Sequence, residues 1–533
     1  MQIKARPSQH QILMEEASRL VDQGCDHLEK GLYLQAADKF RQAINLRPDI
    51  AELYFNLGQA LTKAGSVSEA IIAYQKAIEL KADFARAHHE LAVIYGQLGR
   101  HQKALTHCQR IAELATANPV AIGNLATALR LAGRPQEAIK YARKAIELKP
   151  DWADPYITLG LCEGEMNRLE AAVAVFQSAV ERFPNHGKLW TNLGAALNRL
   201  GRYEEALQTY TRAVSIDGGL AIAHWNRSTI LLLQGQLAEG WQEYGWRKNA
   251  QDMWKPMATH NHTEPLWDGR PFLGKTLLVH YEQGIGDTIQ FVRYVPIVKA
   301  LGGSVILEVH EGLVGLLGCI KDADLIIPSA KGGAVKADMH VFLLDLPGIF
   351  NTTLQNIPAE VPYIQADPVL VCQWRARIPQ DRFNIGLAWA GSPRHKNDKN
   401  RSCQLSDLRP IFQIPGVRVF GLQKGPARGQ IGAHPDLPII DLGNLLTDWS
   451  QTAAALANLD LLISVDTAPL HLAGAMARPV WGLLAFVPDW RWMLDRPDSP
   501  WYPTLRLFRQ GPDRQWRPVI EQVAAALKQE IGR

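Results

Sequence analysis

Three short segments place glycine, carboxylate, hydroxyl and basic side chains directly after apolar runs, where an α/β protein binds its ligands. The first segment reads Gly284-Ile285-Gly286-Asp287. Glycines at the carboxyl end of a strand let the backbone turn sharply into a helix whose N-terminal amides bind anions. Asp287 is suited equally to a role in such a site and to capping that helix, because aspartate is favoured at helix N-termini.

The second segment is a polar, strongly basic loop that follows the apolar run ending at Trp389. Basic side chains bind diphosphates, and serine hydroxyls add hydrogen bonds. The candidates for diphosphate binding are Arg394, Lys396, Lys399 and Arg401, assisted by Ser392 and Ser402. A solvated charged loop is the alternative, but the position after a strand favours ligand binding.

The third segment runs from Ser464 to Ala475 and again reads as strand, turn and helix. Asp466, Thr467 and Ala468 fall where helix amides and the helix dipole would meet a phosphate. His471 lies one turn further into the helix. It is a candidate for the same site and equally a candidate for a histidine packed and hydrogen-bonded in the core.

The elements that carry these segments alternate between strands and helices from Lys275 onward. Apolar runs predict seven strands, at residues 276–280, 304–309, 325–327, 341–344, 384–389, 417–422 and 459–464, with a helix over 288–301. Two doubly wound halves facing each other across a cleft are the natural interpretation. We place the first half at residues 272–366, the second at 367–512 and a final helical segment at 513–533.

The chain before this region has a different organisation. Copies of one 34-residue pattern begin at Ala17, Ala51, Ala85, Pro119, Ala153, Gly187 and Ala221, without gaps. Constant register, small residues and a recurring aromatic resemble the tetratricopeptide repeat, an α-solenoid of paired helices in which the aromatic is expected to fill the gap to the next repeat. The repeats are placed at residues 17–248, after an N-terminal segment 1–16 and before a polar, proline-interrupted linker 249–271.

Position six of the repeat suggests a binding surface. It holds asparagine in four repeats, at Asn56, Asn124, Asn192 and Asn226, and other residues in the remaining three. A row of amides on the inner helices could hydrogen-bond an extended peptide backbone, so a protein acceptor is expected in the repeat groove. The alternative is that asparagine is merely tolerated there.

Composition excludes several classes of protein. The net charge of +4 across 533 residues gives no general attraction to nucleic acid. Six scattered cysteines suggest neither a disulfide framework nor a zinc site, and His260 and His262 lack neighbouring ligands. No stretch has the length and apolar character of a membrane span. We therefore expect a cytoplasmic protein without a metal or bound cofactor.

Together the three segments resemble the bacterial glycosyltransferases of family 9, the heptosyltransferase family, most closely at Gly286-Asp287 and from Val465 to Gly474. The resemblance implies a GT-B fold of two Rossmann-like halves, an acceptor half and a nucleotide-sugar half, with a closing helix near residues 519–531. It implies metal-independent transfer, with Asp287 as the base and Lys396, or alternatively Lys399, on the donor phosphate. Asp466, Thr467 and His471 would lie at the donor, but Pro469 lacks an amide that many family members have there.

The combined layout is similar to that of O-GlcNAc transferases, which join a repeat superhelix with an asparagine ladder to a GT-B body. We therefore expect transfer of a sugar from a nucleotide sugar to a hydroxyl of a protein acceptor held by the repeats. Two alternatives remain open: glycosylation of a lipid-linked saccharide or polysaccharide, and a non-catalytic scaffold. An exposed repeat face is compatible with a homodimer. Trp490 and Trp492 could stack on a sugar or base, although packing between the halves is their more ordinary role.

Overall fold

A computed structural model of the chain describes residues 9–250, 264–329, 335–395 and 397–532. The chain divides into two compact units, residues 1–197 and 198–533. The first consists of repeat helices, whereas the second contains the last repeat helices together with two parallel sheets. An α-solenoid followed by an α/β region of the GT-B type is the architecture that the sequence predicted.

The repeats form paired helices in chain order. Their bounds are α1 Gln9–Glu29, α2 Tyr33–Leu46, α3 Ala51–Lys63, α4 Val67–Leu80, α5 Ala85–Gln97, α6 His101–Leu114, α7 Pro119–Leu131, α8 Pro135–Leu148, α9 Asp154–Glu165, α10 Leu169–Arg182, α11 Gly187–Arg199, α12 Tyr203–Ile216, α13 Ala221–Leu233 and α14 Leu237–Tyr244. From α2 onward every second helix begins 34 residues after the last, so the predicted register is confirmed.

The turn inside each repeat depends on a residue in the left-handed region. That residue recurs every 34 positions as Gly31, Gly65, Gly99, Gly133, Asn167, Gly201 and Gly235, with φ between 59° and 80°. Glycine adopts this conformation without a steric penalty, and asparagine tolerates it better than most residues. The turn therefore fixes where the first helix of each repeat ends.

Packing within a repeat depends on the match between its positions eight and twenty-four. A Cβ on Gly58 would lie 2.6 Å from the ring of Tyr74, and one on Gly24 would lie 2.7 Å from the ring of Phe40. Where position twenty-four is small, as at Ala142, position eight is Ala126. The ring therefore lies on the glycine of its own repeat, because only glycine leaves room for it, and Phe40 also shares a core cluster with Ala51 and Phe55 of the next repeat.

The first half of the α/β region has a four-stranded parallel sheet in the order β3-β2-β1-β4. Its strands are β1 Thr276–His280, β2 Ser304–Val309, β3 Leu325–Pro328 and β4 Met339–Phe342, and its helices are α15 Ile285–Phe291, α16 Val295–Lys299, α17 Val314–Leu317 and α18 Leu346–Ile349. The single helix predicted over 288–301 is divided by a 3₁₀ turn at Val292–Tyr294. Pro296, in the first turn of α16, cannot donate the backbone hydrogen bond that an uninterrupted helix needs.

The second half has a six-stranded parallel sheet in the order β10-β9-β8-β5-β6-β7. Its strands are β5 Phe383–Ala388, β6 Val417–Gly421, β7 Ile439–Asp441, β8 Leu461–Val465, β9 Val480–Leu484 and β10 Leu505–Arg509, and its helices are α19 Pro368–Arg375, α20 Asp398–Arg401, α21 Arg409–Phe412, α22 Gln430–Ala433, α23 Trp449–Ala457, α24 Ala468–Ala475 and α25 Arg517–Ile531. All seven predicted strands are present within two residues of the predicted ends, whereas β7, β9 and β10 were not predicted.

The final helix, α25, was expected as a closing helix. Its apolar residues, including Val519, Val523 and Leu527, lie in one core with the strand residues Ile385 and Leu387. The amphipathic pattern was therefore correct, and the face that it describes packs on the second half.

The end of the repeats is tied to the first half by buried charges. Arg247 donates to both Glu282 and Asp345, and the side chains of Arg247 and Glu282 are each only 3% exposed. Part of the predicted linker also belongs to the folded body, because the backbone of Trp267 donates to the carbonyl of His340 at 2.9 Å. These contacts explain why the compact units divide at 197/198 and not at the predicted end of the repeats; residues 1–8 and 251–263 lie outside the described ones.

Within the described ranges, no helix is both long and apolar enough to cross a membrane.

Candidate functional site

The glycine turn of the first half and the histidine motif of the second half are in direct contact. A Cβ on Gly286 would lie 2.8 Å from Cδ2 of His471, so the backbone of α15 passes close over the imidazole ring. Nδ1 of His471 lies 3.0 Å from the hydroxyl of Tyr502. Burial, followed by the charges of nearby arginines that include Arg491, holds the pKa of His471 well below its usual range. The ring is therefore neutral and packed, in agreement with the core alternative for this residue.

Asp287 is held through both of its carboxylate oxygens. The Gly284 amide donates to Oδ2 at 2.7 Å, so Asp287 caps helix α15 from its third position, whereas the sequence suggested aspartate as the N-cap residue itself. Nη2 of Arg491 donates to Oδ1. The same guanidinium reaches Asp489 through Nη1 at 2.8 Å and Gln290 through Nε at 2.6 Å. Arg491 thus joins α15 of the first half to the segment after β9, and it orients Asp287, whose side chain remains 20% exposed.

The basic loop after β5 is folded around Arg401. Nη1 of Arg401 donates to the carbonyl of Asp466 at 3.1 Å, which links the second predicted segment to the third. Asp398 lies 3.5 Å from Nε of the same side chain and accepts a hydrogen bond from Ser402 at 2.9 Å. A Cβ on Gly391 would lie within 2.6 Å of both Arg401 and Asp398, so the loop needs glycine there.

The remaining candidates of that loop differ in their placement. Ser392 is exposed, and its hydroxyl oxygen accepts from the Arg394 amide at 3.4 Å, inside its own turn. Arg394 and Lys399 are also exposed. Lys396, the predicted phosphate-binding lysine, lies outside the described residues. Of the predicted basic cluster, Arg401 is therefore the described member that is anchored in the fold.

A cavity of about 360 Å³ brings two of the predicted sets together. Arg401 and Asp466 line it from the second half, and Asn226 lines it from α13, the inner helix of the last repeat. Asp489 and Trp225 complete its polar and aromatic walls. Asp287 is not one of the residues that line this cavity, but Arg491 connects it to Asp489 of the cavity wall, and its charge acts on His395 of the same wall.

Asp466 is the acid whose environment in this cavity is most perturbed. Burial, reinforced by the negative charge of Asp489, raises the pKa of its carboxyl to about 6, while Arg401 and Arg491 act in the opposite direction. Nε2 of His471 lies 3.9 Å away. A carboxyl group that is half-buried and poised near neutrality is typical of functional sites.

Thr467 and Ala468 begin helix α24, as predicted. Thr467 is the N-cap residue, but its hydroxyl bonds to the Val465 carbonyl at 3.2 Å and gives no side-chain cap. Pro469 occupies the first turn and has no amide to donate. The amide of Ala468 is therefore the main donor that this helix end directs toward an anion, which is the departure noted from the sequence.

The position-six asparagines occupy the inner helices. Asn56, Asn124 and Asn192 lie on α3, α7 and α11, with Asn124 exposed and the other two half-buried. Asn226 lies on α13, where it hydrogen-bonds the hydroxyl of Tyr210 and also lines the cavity. Asn226 therefore has a packing role in addition to its exposure to the site.

Sequence reasoning missed Arg491, Asp489 and Trp225. Arg491 and Asp489 stand inside the aromatic stretch from Pro488 to Trp492, where only the tryptophans drew attention. Trp490 is buried against Trp241 and also lines the cavity, so packing is its first role. The available signal was a pair of opposite charges, Asp489 and Arg491, on either side of Trp490. Within the described part of the chain, no group of three or more potential ligands is arranged to hold a metal ion.

Comparisons with known proteins agree with both parts of the chain. Tetratricopeptide repeat models match residues 21–83, 83–151 and 158–221, and the glycosyltransferase family 9 (heptosyltransferase) model matches residues 445–501. That last range contains α24, Asp466, Asp489 and Arg491. It therefore covers the second-half wall of the cavity apart from the basic loop.

Individual relatives extend the likeness over more of the chain. Protein FlbA of Caulobacter vibrioides is 27% identical over 343 residues, which cover 58% of this chain and 55% of FlbA. The chain thus spans about half the length of that relative. Among solved structures, YrrB, described as a TPR protein with an unusual peptide-binding site, is 24% identical with a TM-score of 0.30 and covers 35% of this chain and 96% of its own. A tetratricopeptide repeat protein from Parabacteroides merdae is 17% identical with a TM-score of 0.40, covering 45% and 93%.

The chain therefore combines tetratricopeptide repeats with a C-terminal segment of the glycosyltransferase family 9 type.

Proposed function

We propose that this protein transfers a sugar from a nucleotide-sugar donor to a hydroxyl group of a protein acceptor that the repeats hold. One observation carries the proposal: Arg401 and Asp466, from the donor half, line the same cavity as Asn226 of the last repeat. A repeat side chain that suits peptide binding thus lies beside groups that suit a nucleotide sugar. A scaffold has no need of this juxtaposition.

The chemistry assigns one task to each group. The bond between the anomeric carbon and the diphosphate oxygen breaks as the acceptor oxygen bonds to that carbon. Asp287, oriented by Arg491 and the Gly284 amide, takes the acceptor proton. Arg401, the Ala468 amide and Lys396 offset the charge that grows on the departing diphosphate, so no divalent ion is needed. Thr467 and the packed ring of His471 support the turn that presents these groups.

The repeats supply the acceptor in this proposal. Amides at Asn56, Asn124 and Asn192 bond a peptide backbone without reading its side chains, because each offers one acceptor and two donor hydrogens. This mode suits an extended segment of an acceptor protein. A lipid-linked saccharide presents no repeating backbone amides for such a row to bind.

A thermal-shift screen tests the donor side. Wild type, Arg401→Met and Lys396→Ala are heated with UDP, GDP, ADP and CMP, and Arg517→Met is the control because that side chain is 88% exposed in α25. A ligand that binds the folded state raises the melting temperature. We expect one nucleotide to stabilise wild type and the control, with a smaller shift in the other two variants. No shift with any nucleotide would support the scaffold alternative and refute the proposal.

Transfer of label tests the acceptor side. The protein is incubated with the radiolabelled sugar conjugate of the nucleotide that binds, together with a lysate of source cells. Label that stays with protein after denaturation in detergent, and that protease then releases, supports a protein acceptor. The variant Asp287→Asn should abolish this labelling while nucleotide binding persists. A triple replacement of Asn56, Asn124 and Asn192 by alanine should lower the rate of labelling. Label that partitions into chloroform and methanol would refute the protein acceptor.

A further inference from the structure

The last repeat presents a tryptophan to the cavity, at a position where the preceding repeats have none. Trp225 occupies position five of its repeat, where the preceding repeats have Val21, Phe55, His89, Gly123, Ile157 and Thr191. It is half-buried and lines the cavity beside Asn226 and Thr229 of the same helix. An indole placed in a cavity wall offers a broad apolar face at small cost in conformational entropy.

The second half of the α/β region contributes two carboxylates, Asp466 and Asp489, to the lining of the same cavity. Asp489 is anchored through Oδ1, which accepts from the Arg491 backbone amide at 3.1 Å and from its guanidinium at 2.8 Å. Among the residues that the structure describes, none donates a hydrogen bond to the other oxygen of Asp489. Asp466 is anchored through its own carbonyl by Arg401. Hydrogen bonds therefore position the carboxylate of Asp489 and the backbone of Asp466.

We propose that this cavity binds the sugar ring of the donor, with Trp225 packing on the ring and Asp466 and Asp489 accepting hydrogen bonds from its hydroxyls. A pyranose has an apolar face of C–H groups and a rim of hydroxyl donors, which match an indole and two carboxylates. The volume of about 360 Å³ lies near the lower end of the roughly 300–1,000 Å³ range of ligand pockets. It suits a sugar next to the diphosphate held by Arg401.

This inference rests on the proposed function and adds a consequence to it. The last repeat becomes part of the donor site, so the repeats take part in choosing the sugar as well as in holding the acceptor. Substitutions at position five of the last repeat should alter which nucleotide sugar is bound. Substitutions at the same position of the other repeats should not.

Calorimetric titration of matched ligand pairs tests the inference. The pairs are UDP with UDP-N-acetylglucosamine and UDP-glucose, GDP with GDP-mannose, and ADP with ADP-glucose. We expect Trp225→Ala to weaken binding of the preferred nucleotide sugar roughly 3- to 10-fold, as expected for loss of one aromatic contact. Binding of the bare nucleotide should change less than about twofold. Trp225→Phe should retain most of the sugar-dependent affinity.

Two further variants keep the test decisive. Trp225→Leu preserves apolar bulk if the alanine variant fails to fold, and it should show the same selective loss. Trp190→Ala removes a half-buried tryptophan from α11 and should leave both affinities unchanged. An equal loss for nucleotide and nucleotide sugar, or no loss for either, would overturn the sugar subsite while leaving the proposed function intact. A wild type that binds no nucleotide would refute the proposed function, and the subsite with it.

Discussion

Replacement of Asp466 by asparagine should stabilise the protein, and the gain should depend on pH. Burial raises the pKa of this carboxyl from 3.8 to about 6, so the folded state disfavours the ionised form. The protonated Asp466 carboxyl stabilises the folded state. This contribution to the free energy of unfolding is complete below pH ~4 and is lost as the pH rises through ~6. A shift of about two pKa units corresponds to ~3 kcal/mol of unfolding free energy, to order of magnitude. Asparagine resembles the protonated acid and removes this dependence.

Urea unfolding followed by tryptophan fluorescence is the appropriate assay. All tryptophans other than Trp152 and Trp190 lie in the second unit, so the signal reports on the unit that contains Asp466. The stability advantage of Asp466→Asn over wild type should grow by about 1.4 kcal/mol between pH 5 and pH 8, which is half of the total. An advantage that is constant over this range, or that shrinks with rising pH, would refute the reasoning. In an Asp489→Asn background the transition should move to lower pH, because the Asp489 charge helps to raise the pKa of Asp466.

Four further substitutions test packing and charge, each by urea unfolding. Arg491→Met should cost about 3 kcal/mol because it leaves two carboxylates without their shared partner; a loss below 1 kcal/mol would contradict the bridging role. Gly286→Ala should cost roughly 1–3 kcal/mol because its methyl group would press on the buried ring of His471. Gly58→Ala should cost a similar roughly 1–3 kcal/mol, whereas Gly96→Ala, whose methyl group meets nothing within 4 Å, should stabilise its helix by roughly 0.5–1 kcal/mol. Equal effects at these two repeat glycines would exclude the ring contact as the cause.

Much of the fold could be predicted because it depends on local pattern. The repeat register follows from recurring small residues, which mark where helices pack closely. The strands follow from short apolar runs such as Thr276–His280, which mark segments that are buried on both faces. Strands β7, β9 and β10 were missed because none is a long, uninterrupted apolar run. Strand β7, Ile439–Asp441, has only three residues, β9, Val480–Leu484, has a glycine at its centre, and β10, Leu505–Arg509, contains two arginines.

Within the candidate site, the sequence identified side chains but not their partners. Asp287 was open to both capping and site roles, and the fold gives it a cap contact and an ion pair. His471 was open to both packing and site roles, and its neighbour Gly286 comes from the other half of the α/β region. The cap from Gly284 is local, but Arg491 and Gly286 lie far along the chain from Asp287 and His471, so no spacing rule could identify those two partners.

The sequence by itself determined the two-part organisation, the register of the repeats and the strand ends at which the candidate site residues lie, because these depend on interactions between near neighbours in the chain. Only the tertiary structure decided that Arg491 links Asp287 to Asp489 and that Trp225 of the last repeat lines the same cavity as Asp466. The tertiary structure also buries Asp466, and this burial raises the pKa of its carboxyl to about 6. Distances, desolvation and cavities arise from packing between elements remote in sequence, and residue order alone does not specify them.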